Sequence, residues 1–163
     1  MRKPEFVYVT YIATTPEKLW RALTDERISE QFWFGYRVVS DWTVGSSFRL
    51  MQGDRIVTDE GVVLECDPPR RLSYTWKPTY EDMRHEAPSR VIFDIEPRNG
   101  QVKLTVTHEQ FEEGSKVFES IRTGWPAVLS SLKSFLETGR ALPPSWTEEH
   151  STIIAAAAAK ACL

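Results

Sequence analysis

The stretch IRTGWPAVLSSLKSFLETG, residues 121–139, decides the fold. Pro126 stands inside what otherwise reads as a helix. Proline has no backbone N–H, and its ring crowds the carbonyl four residues back, here that of Arg122, at a cost of about 3 kcal/mol in a helix interior. It either sits in a second helix capped by Thr123 or bends one that began earlier. Spacing discriminates between them. Phe118, Ile121, Trp125, Val128, Leu132 and Phe135 follow at intervals of 3, 4, 3, 4 and 3, which is one helix face. A helix begun afresh at Thr123 has no reason to inherit the phase of the preceding turn. The reading is therefore one long helix over residues 115–138, bent near Pro126 and closed by Gly139 as C-cap. Burial of its stripe must offset the proline.

Working outward, residues 6–12 read FVYVTYI, a β-branched and aromatic run expected as a strand. Thr15, Pro16 and Glu17 supply an N-cap, a first-turn proline and a first-turn acid for a helix over residues 16–24. Asp25 caps a second short helix ending near Trp33, with Ile28 and Phe32 inward. The pattern then changes to period two. Strands are expected over residues 36–40, 47–51, 57–66 and 71–76, the last two joined by Asp67-Pro68-Pro69-Arg70. Residues 78–88, PTYEDMRHEAP, have no apolar period and read as an exposed loop. Val91, Phe93 and Ile95 alternate with Ile92, Asp94 and Glu96. Asn99-Gly100 makes a hairpin turn into a last strand whose face carries Val102, Leu104, Val106 and His108.

That order predicts an α+β fold. A curved antiparallel sheet wraps a long C-terminal helix, and two short helices follow the first strand. At 163 residues the chain fits one domain, assigned to residues 1–140. Residues 141–163 form an alanine-rich extension: a docked helix, an interface helix or a frayed tail.

Five segments together resemble the SRPBCC superfamily, whose START-like members share the helix-grip fold. They are TTPEKLWRALTDERISEQFW (14–33), GVVLECDPPRRLSYTW (61–76), SRVIFDIEP (89–97), LTVTHEQF (104–111) and GWPAVLSSLKSFLE (124–137). The subgroup they are most similar to is that of the C-terminal domain of the activator of Hsp90 ATPase. The resemblance covers roughly residues 5–140. It implies a deep apolar cavity between sheet and last helix, in a family that includes ligand carriers, cyclases and hydroxylase subunits. Fold alone does not choose among these.

Aromatic residues are abundant, with six Trp, eight Phe and five Tyr. Trp33, Trp42, Phe48, Trp76, Phe93 and Trp125 are the candidate cavity lining, against the plainer reading that such rings fill the core. Tyr74 and His108 share inward faces and could offer a hydrogen bond or proton to a guest; a purely structural histidine is the competing reading. Asp59 and Glu60 are adjacent on an extended segment, so they point to opposite faces and read as a solvated pair. His85-Glu86 lacks the spacing of a zinc site, and no metal or cofactor is expected. Net charge is −3 and no basic stripe exceeds Arg70-Arg71, which argues against nucleic acid. No run is long enough to span a bilayer, and Cys66 and Cys162 form no disulfide framework, so a reducing cytoplasm is the expected compartment.

The function expected is a soluble binding protein for a small hydrophobic or amphipathic molecule. One alternative is a cyclase- or hydrolase-type enzyme using the same cavity. Another is a chaperone or regulator partner acting through its extension, as a homodimer or with a second protein.

Overall fold

A computed structural model describes residues 2–146 of the chain. Its elements are β1 (Phe6–Ile12), α1 (Pro16–Thr24), α2 (Glu26–Phe32), β2 (Tyr36–Ser40), β3 (Ser47–Gln52), β4 (Ile56–Asp67), β5 (Arg71–Pro78), β6 (Ser89–Arg98), β7 (Gln101–Glu109) and α3 (Lys116–Thr138). The seven strands form one curved antiparallel sheet in the order β1-β7-β6-β5-β4-β3-β2. This is the helix-grip α+β architecture. The alanine-rich run of the extension lies outside the described residues.

Local chemistry fixes the elements. Thr15 accepts from the Lys18 N–H to open α1, and Asp25 accepts from the Arg27 and Ile28 N–H groups to open α2. Asn99 and Gly100 take φ of 47° and 81° between the paired residues Arg98 and Gln101, as a tight hairpin needs. Gly61 is required for another reason: a Cβ there would lie 1.8 Å from the Thr75 carbonyl oxygen. Close approach of β4 to β5 at this point precedes an irregularity in their register.

α3 is one helix through Pro126, with Ser115 as N-cap and Gly139 as a left-handed C-cap. It buries Val117, Ile121, Trp125, Val128, Leu129 and Leu132. Burying two such side chains, at about 1.5–3 kcal/mol each, already matches the cost of the proline. Arg122, whose carbonyl loses its partner, is exposed, so water can reach that turn. The buried face is broader than the expected stripe. Val117 and Leu129 join it, while Phe118 and Phe135 are only half-buried.

The core lies between α3 and the inward residues of the sheet, among them Val38, Phe48, Leu72, Phe93, Leu104 and Val106. The Lys133 ammonium donates to the Tyr11 carbonyl and pairs with Glu137, tying α3 to β1. The chain after Gly139 folds back on the helix, where the Leu142 N–H donates to Ser131 Oγ at 3.1 Å.

Residues 79–88 are not the plain exposed loop their sequence implies. Glu86 is buried and accepts from Ser115 Oγ and from the Lys116 N–H at 2.8 Å. It completes the capping of α3 from outside the helix, putting a carboxylate at the positive end of the helix dipole. His85 beside it is exposed. The loop is thereby held against the first turn of α3.

Candidate functional site

The aromatic residues singled out in the sequence divide into two groups in space. Phe48 stacks on Tyr74 with ring centroids 3.9 Å apart, and Phe93 lies 5.7 Å from Tyr74. Trp42 packs against Phe48 and Tyr74 and donates its Nε1–H to the Thr24 carbonyl at 2.7 Å. Its φ of 57° is unusual for a bulky residue, and that hydrogen bond helps hold it. These four rings pack on one another and do not border the cavity.

His108 is fully buried on β7. Trp125 Nε1 lies 3.0 Å from its Nδ1, and Ser89 Oγ lies 2.7 Å from its Nε2. An indole nitrogen only donates, so Nδ1 accepts and the imidazole proton sits on Nε2, donating to Ser89. Ser89 Oγ in turn donates to the Trp76 carbonyl at 3.1 Å. Both ring nitrogens are occupied. Burial pushes the His108 pKa down to about 3, so it is neutral across the physiological range. What it does geometrically is hold Trp125 and connect it, through Ser89, to the strand that carries Trp76.

Those two tryptophans border a cavity of about 170 Å³ between α3, the sheet and the 79–88 loop. Trp33 completes an aromatic wall. Its ring is stacked with Trp76 at 6.4 Å and tilted against Trp125 at 5.5 Å. Of the expected lining residues, Trp33, Trp76 and Trp125 border the space, and Trp42, Phe48, Tyr74, Phe93 and His108 lie behind it.

The rest of the lining was not among the expected site residues. It includes Tyr36, Asp59, Tyr80, Met83 and Trp146. Trp146 arrives on the fold-back after α3 and meets Phe34 edge to face at 4.9 Å. The exposed Ser120 also lines the space, so the cavity reaches the surface beside the first turns of α3.

Asp59 corrects the solvated-pair reading. Glu60 is exposed, but Asp59 is only 6% exposed. It pairs in register with the inward-facing Leu50, which turns its carboxyl to the cavity side. Burial pushes its pKa up to about 7, against a hydrogen bond from Thr58 that favours the charged form. Thr58 has one hydroxyl proton, and the Leu50 carbonyl at 3.2 Å competes for it. Among the described residues no cation forms an ion pair with Asp59. Burial, with Asp59 a lesser contributor, also raises the pKa values of the Tyr36 and Tyr80 phenols. Among the described residues no three metal-ligating side chains converge.

A family model described as Activator of Hsp90 ATPase homolog 1-like protein matches residues 13–137. Among solved structures, protein MLL2253 from Mesorhizobium loti is 28% identical with a TM-score of 0.71, covering 82% of this chain and 96% of that one. The Aha1 dimer from Colwellia psychrerythraea is 21% identical with a TM-score of 0.68, covering 85% and 99%. An HSP90 activator from Plasmodium falciparum is 22% identical with a TM-score of 0.67, covering 81% and 95%. The last two likenesses concern the fold. No curated protein matches the chain.

Proposed function

The chain belongs to the Activator of Hsp90 ATPase homolog 1-like family, and from that premise we propose that it binds a small hydrophobic or amphipathic molecule between its sheet and α3. The observation that carries this reading is the cavity itself. Three tryptophan rings face a space that their neighbours leave unfilled, while the rings behind them are closely packed. An apolar cavity of about 150 Å³ is enough to hold a benzene-sized guest, so this one suits a single ring or a short branched chain. Trp33, Trp76 and Trp125 would contact the guest directly. Trp42, Phe48, Tyr74, Phe93 and His108 would act behind them, by fixing the wall. We place the encounter in the cytoplasm; Cys66 forms no disulfide among the described residues. No helix among the described residues is long and apolar enough to cross a membrane.

One observation favours a second reading, an enzyme on the same cavity. Asp59 is an inward carboxyl able to exchange a proton near neutral pH. Under that reading Asp59→Asn abolishes turnover and leaves guest affinity intact.

Native mass spectrometry of the full chain, purified without denaturant, tests the binding reading. A discrete added mass that disappears on denaturation is the expected result. Bare protein that also fails to take up any of a panel of single-ring compounds would overturn it.

A further inference from the structure

We propose that the molecule held in this cavity carries a protonated amine, with the Asp59 carboxylate as its counter-ion and the Trp33, Trp76 and Trp125 rings as its walls. The inference rests on the binding reading above and names the chemical class of the guest.

A carboxyl in an apolar hollow must either hold its proton or find a cation. Asp59 is almost wholly buried, borders the space, and has no ion-pair partner among the described residues. No lysine, arginine or histidine is among the described residues that line the cavity. A guest with its own carboxylate or phosphate would therefore meet a like charge and no cation. An ammonium group would supply the missing partner. Indole faces also attract cations, and three of them meet at this wall at centroid separations of 5.5–6.4 Å. Tyr36 and Tyr80 also line the space, and each interacts electrostatically with Asp59.

Ionisation of Asp59 then sets the pH dependence. The charged or titratable groups facing it are Tyr36 of β2, Tyr74 of β5 and Tyr80 of the following loop. All three phenols are shifted upward, away from neutrality. α3 presents Ser120, Ile121, Gly124 and Trp125 to the cavity, and the turn after α2 presents Trp33. With the carboxyl pushed up to about 7, amine binding strengthens as pH rises from 5 to 8.

The test is calorimetric titration of the full chain with 2-phenylethylamine and its neutral counterpart 2-phenylethanol, at pH 5 and pH 8. The wild type should prefer the amine at pH 8 by about tenfold or more, as a charge-assisted hydrogen bond implies. That preference should shrink at pH 5. Asp59→Asn should remove it, bringing the two probes to within about threefold of each other. Trp33→Leu, a second variant, should weaken the amine more than the alcohol. Equal binding of the two probes by the wild type, or an amine preference that survives Asp59→Asn, would overturn the inference and leave the binding reading standing. Failure of both probes to bind would count against both.

Discussion

The two ends of the space under α3 are built from the same residue types to opposite effect. At the closed end Tyr74 packs against both Phe48 and Phe93, and His108 has both nitrogens satisfied by Trp125 and Ser89. At the open end Trp33, Trp76 and Trp125 face a space of about 170 Å³, and Asp59 has no cation partner among the described residues. Both ends bury a titratable group. Burial favours the neutral form of each, but the imidazole is satisfied by the chain while the carboxyl has no ion-pair partner among the described residues. Aromatic content alone therefore does not mark a binding site. The distinction lies in whether the polar groups behind the rings are already paired.

This contrast is most sharply tested by truncation. Phe93→Ala at the closed end should cost about 3–5 kcal/mol in urea unfolding, because it opens a cavity in close-packed surroundings. Met83→Ala, on the half-buried loop at the open end, should cost less than about 1.5 kcal/mol, since surrounding space already exists. Equal costs would erase the distinction. Next in size is Trp125→Phe, which leaves His108 Nδ1 without its donor inside the core. A loss of about 2 kcal/mol is expected, with the His108 resonance titrating at higher pH by NMR.

The two buried groups should also oppose each other in pH. His108 is pushed down to about 3 in the fold, so its contribution is lost as pH falls from its unfolded value near 6.5 towards 3. Asp59 is pushed up to about 7, so its contribution is full below its unfolded value near 3.9 and is lost as pH rises towards 7. Asp59→Asn should consequently raise stability at pH 8, by about 1 kcal/mol or more, and change it little at pH 4. Thermal melts at the two pH values compare them. A variant equally stabilised at both would show that Asp59 is not a buried, uncompensated acid.

Much of the architecture was legible because it rests on periodicity. The phase of Ile121, Trp125, Val128 and Leu132 across Pro126 is a helix signal, and Asn99-Gly100 is a turn signal. The outer members of the α3 stripe were less secure, since Phe118 and Phe135 turned out half-buried. The site was legible only in part. Trp33, Trp76 and Trp125 carry an aromatic signal, but nothing local separates them from Phe48 and Tyr74, which differ only in their spatial neighbours. Asp59 shares the parity of the buried Val63, and that alternation could have revealed it. The exposed Val62 and Leu64, equally apolar, masked it. Glu86, Tyr80 and Trp146 were illegible for another reason: they lie in aperiodic segments whose positions are set by contacts distant in the chain.

The central claim is that only the open end receives a guest. The six tryptophan indole N–H resonances report on it directly in a two-dimensional NMR titration with 2-phenylethanol. Trp33, Trp76, Trp125 and Trp146 should shift together with one affinity, while Trp20 and Trp42 stay in place. Stationary signals at the first four, or shifts centred on Trp42, would contradict it.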